Sequence, residues 1–361
     1  MRPRFLIAAS VQVLVLLAML GCEEPNQWQP SPQSYSPPPY VPTSQPTTAN
    51  QGIACLNRAE RAFDASDWDA ALAAGEDAVR VSSPSDMCRS DGRENVLIHA
   101  VAYRYQGRAL LSKNQPDRAI APLSRAVQLD PGDWNGHANR GWAKVRQKDL
   151  VGGISDLSEA IRLNPRNAWS FHSRGEARRQ NKDYDAAISD FDEAIRLDPK
   201  DWFACGGRGA AKAAKKDYDE AMADLNEAIR LNPKEPFAYD WRGDVKRIRK
   251  DQDGAIADFD ESIRLNPQGS YAFARRGSAK LSKKDYAGAV ADLTRATELN
   301  SKDSWAYFEL SFAHQRSGDM ESAIRDVSKA MDLDPKGATF LTTHGVGCTS
   351  ESGIARKLWA I

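Results

Sequence analysis

Residues 168–201 read AWSFHSRGEARRQNKDYDAAISDFDEAIRLDPKD, and residues 202–235 read WFACGGRGAAKAAKKDYDEAMADLNEAIRLNPKE. The two segments are equal in length and close in register on Leu-(Asn/Asp)-Pro. Within the first, apolar residues return at i, i+3, i+4 and i+7, as Ala187, Ile188, Phe191, Ala194 and Ile195, which is the period of one face of an α-helix. Asp198-Pro199 ends that run, because proline lacks the amide donor a helix interior needs and pushes its predecessor out of helical dihedrals. A shorter break at Lys182-Asp183-Tyr184 divides the segment, so each segment predicts two helices joined as an αα-hairpin.

The same interval extends in both directions. Pro131, Pro165, Pro199, Pro233, Pro267 and Pro335 recur at it, with one doubled step across Ser301. Gly107, Gly141, Gly175, Gly209, Gly243 and Gly277 keep the period, as do Ala119, Ala187, Ala221, Ala255, Ala289 and Ala323, with Gly153 in the vacant place. A further series of small residues runs Ala126, Ala160, Ala194, Ala228, Ser262, Ala296 and Ala330. Glycine inside a helix costs about 1 kcal/mol relative to alanine, so glycines in register require compensation. Close approach of a paired helix supplies it, with Phe191, Leu225, Phe259 and Leu293 filling the space alongside.

This register of an aromatic or apolar residue, glycine, alanine, a large apolar residue, alanine and proline, returning about every 34 residues, resembles the tetratricopeptide repeat. The resemblance covers seven units over 100–336 and a degenerate eighth around Ile53 to Val79, carried by Trp68, Ala71, Leu72 and Ala78. It implies an all-α solenoid, a right-handed superhelix of hairpins whose concave groove, lined by first helices, binds a peptide or protein partner. Departures from the pattern are Ser311 in place of glycine, Ser301 in place of proline, Pro122 inside a second helix, where a kink is expected, and an insertion over 81–99. The tail 337–361 is weakly patterned and reads as a weak cap or a frayed end.

The first helices are where the resemblance places partner binding. Aromatic residues recur at the second position as Trp169, Phe203, Phe237, Tyr271 and Trp305, and there they read either as binding residues or as wedges between units. Trp142 and Trp241 lie off that series at groove positions. Arg104, Arg108, Arg146, His172, Glu176, Arg179, Asp240, Asp244, Arg247 and Arg275 are the charged groove candidates, basic in the first half and acidic in the middle, read either as a solvated face or as a polarity that orients a partner. Some members of the family hold a partner's C-terminal carboxylate in a clamp; at the matching places, Arg104, Arg108, Asn139, Trp169 and Ser173, only Asn139 fits, so that clamp is not expected here. Arg140, Arg174, Arg208, Arg242 and Arg276 share the period of Asp156, Asp190, Asp224, Asp258, Asp292 and Asp326, which predicts Arg-carboxylate pairs tying the helices together.

Upstream, Arg2 and Arg4 precede an uncharged apolar run from Phe5 to Leu20, a secretory-signal pattern too short for the roughly 20 residues that span a bilayer. Met19-Leu20-Gly21-Cys22 resembles a bacterial lipoprotein signal, which implies cleavage after 1–21, lipid on Cys22 and a place in the cell envelope, tethered to the membrane through that lipid. Residues 22–51, rich in Pro, Ser, Thr and Gln, read as a disordered tether, and 52–99 hold the degenerate repeat and the insertion. Cys55 and Cys88 both fall in that irregular region and read either as a disulfide pair or as buried thiols.

Lysine plus arginine and aspartate plus glutamate both total 49, so no field of one sign gathers nucleic acid. The five histidines are scattered and no CxxC occurs, so neither a metal site, a cofactor nor a catalytic constellation is expected. The sequence therefore reads as a scaffold that binds a protein or peptide; self-association of arrays through their ends is the alternative.

Overall fold

The computed structural model describes residues 48–81 and 92–335. The predicted signal peptide, Cys22, most of the tether, Cys88 and the tail 337–361 lie outside the described residues. Sixteen helices and no strand are found among the described residues. In chain order they are α1 (Thr48–Asp64), α2 (Trp68–Val81), α3 (Gly92–Ser112), α4 (Pro116–Leu129), α5 (Trp134–Arg146), α6 (Leu150–Leu163), α7 (Ala168–Gln180), α8 (Tyr184–Leu197), α9 (Trp202–Ala214), α10 (Tyr218–Leu231), α11 (Pro236–Ile248), α12 (Gln252–Leu265), α13 (Ser270–Ser282), α14 (Tyr286–Leu299), α15 (Ser304–Ser317) and α16 (Met320–Leu333).

A division between Ala211 and Lys212, within α9, separates two compact units. In the N-terminal unit the hairpins α1/α2, α3/α4, α5/α6 and α7/α8 stack in sequence order, each second helix packing on its own first helix and on the next one. The C-terminal unit repeats that arrangement with α11/α12, α13/α14 and α15/α16, preceded by α10. Each unit is thus a length of all-α solenoid, as the periodicity requires.

Two boundaries differ from the sequence reading. Helix α1 begins at Thr48, inside the segment read as tether. Residues 92–99 are not insertion but the first turns of α3, which runs 21 residues where the other first helices of units two to eight run 13 or 14. Helix α4 carries Pro122 in its interior, as the sequence reading has it, and continues to Leu129.

The turns within hairpins share one construction. Lys148, Lys182, Lys216, Lys250 and Lys284 have φ between 63° and 73°. In each turn the lysine amide bonds the carbonyl three residues back and the following aspartate amide bonds the carbonyl five back, as Lys250 to Arg247 and Asp251 to Lys246. That is the Schellman arrangement, whose left-handed residue is usually glycine. The same aspartate then caps the second helix: Asp149, Asp251 and Asp285 accept from the amides of Gly152, Gly254 and Gly288 at 2.9–3.0 Å.

The glycine series is explained by contact. A Cβ on Gly141 would sit 2.8 Å from Leu157 Cγ and 3.0 Å from the Gly153 carbonyl, and one on Gly277 would sit 2.7 Å from Leu293 Cγ. Phe191 is pressed from two sides: added Cβ atoms on Gly175 and Gly207 would lie 3.0 and 2.5 Å from its ring. Leu123, Leu157, Phe191, Leu225, Phe259 and Leu293 are all wholly buried. The one hairpin with Ser311 in the glycine place pairs it in register with Val327, the smallest residue of that large-residue series.

Two stability changes follow. Gly141→Ala gains about 1 kcal/mol of helix propensity but forces Leu157 and a backbone carbonyl apart, so a net loss of about 1–3 kcal/mol is expected in urea unfolding. Lys250→Gly relieves a left-handed side-chain conformation and should gain up to about 1 kcal/mol, read as a higher unfolding midpoint with an unchanged denaturant slope.

Candidate functional site

In the N-terminal unit, Arg104 on α3 donates from Nη1 to Asp133 Oδ2 at 2.7 Å. Arg108, one turn on, lies with its guanidinium 4.5 Å from the centre of the Phe63 ring of α1. Burial and the neighbouring Arg104 hold the Arg108 pKa below the usual guanidinium value, against the pull of Tyr105, Glu60 and Asp64. Arg146 donates to the Leu111 carbonyl at 3.1 Å. Asn139 is buried and turned back on its own helix, its amide donating to the Asn135 carbonyl at 2.7 Å.

Trp142, read from the sequence as a groove residue, is instead buried among Leu110, Leu111, Ala119, Leu123 and Val145. Its position faces the first-helix side, but the preceding hairpin covers the ring. His172 is also buried, its Nδ1 2.7 Å from Asp201 Oδ2 and its ring between those of Trp169 and Phe203. Glu176, 1% exposed, accepts two bonds from Arg179 at 2.8–2.9 Å and one from Gln180 at 2.8 Å. His172, Glu176 and Arg179 are therefore parts of the packing between first helices, not an open charged strip.

The C-terminal unit differs. Phe237, Asp240, Trp241 and Asp244 recur at i, i+3, i+4 and i+7 on α11 and so share one face. Phe237 and Trp241 meet edge to face, centroids 4.7 Å apart. Asp244 accepts a hydrogen bond from the Tyr271 hydroxyl and lies 3.4 Å from Arg247 Nε and 3.7 Å from Arg275 Nε. Arg275 is 1% exposed, with its guanidinium 4.8 Å from the Tyr271 ring centre and 4.2 Å from that of Trp305 on the next hairpin. Tyr271 and Trp305 thus act as wedges between hairpins, with an arginine filling the gap.

Asp240 is buried beside the Ser262 hydroxyl of α12, the one serine in its alanine series. Burial, helped by Asp244 and Glu235, pushes its pKa up to about 7 against the Ser262 hydrogen bond and Arg275. Glu235, at the start of α11, is pushed up to about 7 by burial. Glu309 on α15 is also raised by burial, against Arg247, Ser278 and Arg275. Sequence reasoning missed Glu309 and Glu235. A signal for Glu309 exists in the repeat itself: it stands one unit after Arg275 and two units after Trp241, in the same place of the pattern.

Away from this face, four of the predicted arginine-aspartate pairs are present. Asp156, Asp190, Asp258 and Asp292 each accept two bonds, at 2.6–3.0 Å, from Arg140, Arg174, Arg242 and Arg276. A second base one turn on, Lys144, Arg178, Lys246 or Lys280, reaches the same carboxylate at 2.7–2.8 Å. Arg208 also reaches Asp192 at 2.7 Å. In the last hairpin His314 takes the basic role, 2.7 Å from Asp326. Burial raises the Asp156 pKa, but bonds from His137, Arg140 and Lys144 outweigh it and hold the carboxylate well below its usual range. His137, read from the sequence as a packed residue, is buried, its Nε2 3.1 Å from the Pro131 carbonyl.

Cys55 is buried and its sulfur accepts from Arg58 Nη2 at 2.9 Å; its proposed partner, Cys88, is outside the described residues. Among the described residues no group of three or more His, Cys, Asp or Glu side chains is arranged to hold a metal ion, and no helix is long and apolar enough to cross a membrane.

Comparison with known proteins agrees with this architecture. Tetratricopeptide repeat family models match residues 56–133, 105–168, 138–201, 172–236 and 207–270, and then 270–303 and 306–336. No curated protein shows a significant sequence match. A tetratricopeptide repeat protein from Parabacteroides merdae superposes with a TM-score of 0.57 at 17% identity, over 73% of this chain and 99% of that one. Yeast Tom70 superposes with a TM-score of 0.51 at 18% identity, over 97% of this chain and 73% of its own. At these identities the likeness is one of fold. With the family models spanning most of the chain and successive hairpins built on the same glycine contact, the chain belongs to the tetratricopeptide repeat family.

Proposed function

We propose that this protein is an exported, lipid-anchored scaffold of the bacterial cell envelope that binds a segment of another protein on the first-helix face of its C-terminal unit. The observation that carries the binding reading is the contrast between the two charge systems. The arginine-aspartate pairs behind the first helices are saturated, each carboxylate holding two bases. On α11, Phe237, Asp240, Trp241 and Asp244 form an aromatic and acidic face in which Asp240 and Glu235 are pushed up to about 7. Stability alone favours an apolar residue at a buried position over an uncompensated carboxyl group, so such a face is accounted for by an interaction. The family's general role as a protein-binding scaffold supports the same reading. The anchor rests on Met19-Leu20-Gly21-Cys22 and on the proline-rich segment that follows.

A photoreactive phenylalanine analogue at Trp241 should capture a protein partner in envelope preparations, whereas the same group at Arg230, exposed on the second helix α10, should not. Equal capture from both places, with helical circular dichroism retained, would remove the binding reading. Mass spectrometry of the mature N-terminus checks the anchor: a diacylglyceryl group on Cys22 is expected, and an unmodified Met1 would exclude it.

The face also sets a pH dependence. Below about pH 4 both the folded and the unfolded chain carry the Asp240 proton; from there to about pH 7 the unfolded chain releases it while the folded chain keeps it, so stability falls as pH rises. Asp240→Asn keeps an acceptor for Ser262 and removes the penalty. It should raise stability at pH 8 by on the order of 2–4 kcal/mol and flatten the slope between pH 4 and 7 in urea titrations.

A further inference from the structure

Asp240 on α11 is influenced by Asp244, one turn on, and by Glu235 at the start of the helix, while Glu309 on α15 shares the influence of Arg275 with it. Arg247 of α11 and Arg275 of α13 both lie toward Asp244, at 3.4 and 3.7 Å. Helix α12 contributes the Ser262 hydroxyl, and α13 adds the hydroxyls of Tyr271 and Ser278. Burial, helped by Asp244 and Glu235, favours the protonated form of the Asp240 carboxyl group. Asp240 is 5% exposed, and its Oδ1 has no hydrogen-bond partner among the described residues. A buried carboxylate oxygen without a donor is a place where an incoming donor gains a charge-assisted bond at little further desolvation cost to the acceptor.

The walls specify the kind of donor. Phe237 and Trp241 stand edge to face on the same helical face as the two aspartates. Aromatic rings beside carboxylates suit an organic cation with an apolar stem better than a hydrated metal ion. No three metal-ligating side chains converge among the described residues. The geometry points to a site on α11, walled by Phe237 and Trp241 and floored by Asp240 and Asp244, that accepts a lysine or arginine side chain of the bound segment. This assignment rests on the scaffold reading above and adds the chemistry of the partner. Binding displaces the Asp240 proton to solvent, with no covalent change.

Calorimetry of the full chain with N-acetylated, C-amidated hexalysine and hexaglutamate tests it, at pH 7 in phosphate and in Tris so that proton release is read from the difference in heat. Hexalysine should bind with net proton release and weaken with salt, and hexaglutamate should not bind. Asp240→Asn/Asp244→Asn should weaken hexalysine at least tenfold and abolish the proton release, while Arg104→Gln in the other unit changes neither. Glu235→Gln, at the half-buried start of the helix, gives a second variant should the double one fail to fold; it should lower the affinity severalfold and reduce the proton release. Unchanged hexalysine binding in the folded variants, binding without proton release, or preferential binding of hexaglutamate overturns the assignment. Photocapture at Trp241 of a segment lacking lysine and arginine overturns it while leaving the scaffold reading in place.

Discussion

Gly141 and Leu157, Gly175 and Phe191, Gly243 and Phe259, Gly277 and Leu293 share one separation in sequence and are in contact across a hairpin. The missing Cβ lets two helix backbones approach until a leucine or phenylalanine of the second helix lies against the first helix itself. A wholly buried leucine or phenylalanine contributes about 1.5–3 kcal/mol, which exceeds the roughly 1 kcal/mol lost by placing glycine in a helix. The same separation carries Arg140 to Asp156, Arg174 to Asp190, Arg242 to Asp258 and Arg276 to Asp292. One crossing geometry thus sets an apolar contact and, one residue away in each helix, an ion pair beside it. Because the next first helix also packs on the second, as Gly207 does on Phe191, the hairpin contact and the stacking contact share a side chain. A hairpin loosened at its glycine consequently loosens its neighbour.

That contact also explains what the sequence reveals. A small residue recurring in several series at one interval reports a backbone-to-backbone approach directly, so the helices, their pairing and the ion-pair partners are readable from Gly107 onward. Chain positions where the repeat is interrupted are less legible. Thr48 and Gly92 start helices within segments whose composition reads as tether or insertion, because helix α1 is fixed by packing of Cys55, Ala59 and Phe63 on later residues and not by its own sequence.

Site residues are legible in direction but not in depth. Register places Trp142, His172, Glu176 and Trp241 on the side of the first helices that faces away from their own second helix. It contains no information on how closely the next first helix covers that side. Trp142 shares a buried cluster with Leu110 and Leu111, and His172 meets Phe203, through packing that reaches into the adjoining repeat. Which charges cancel is likewise a property of neighbours: Glu176 finds Arg179 one turn along its own helix, whereas Asp240 has Asp244 there. Residue type alone hides Glu309, which becomes visible only through the repeat position that Asn139, Trp241 and Arg275 share with it.

The two charge systems of this array answer to different demands. Behind the first helices the paired carboxylates have their bases at hydrogen-bond distance, and the pattern returns unit after unit, as an element of packing should. Around α11 the pattern does not return: the places equivalent to Asp240 are Arg104, Ala138, His172, Gly206, Ala274 and Phe308, and those equivalent to Asp244 are Arg108, Trp142, Glu176, Ala210, Ser278 and Phe312. A feature the fold needs must appear wherever the fold repeats, whereas a feature confined to one unit is free of that need. Periodicity therefore does more than identify the architecture: subtracting it leaves Asp240, Asp244 and Trp241, a set that the stacking of hairpins does not require and that the chemistry of a bound cation would.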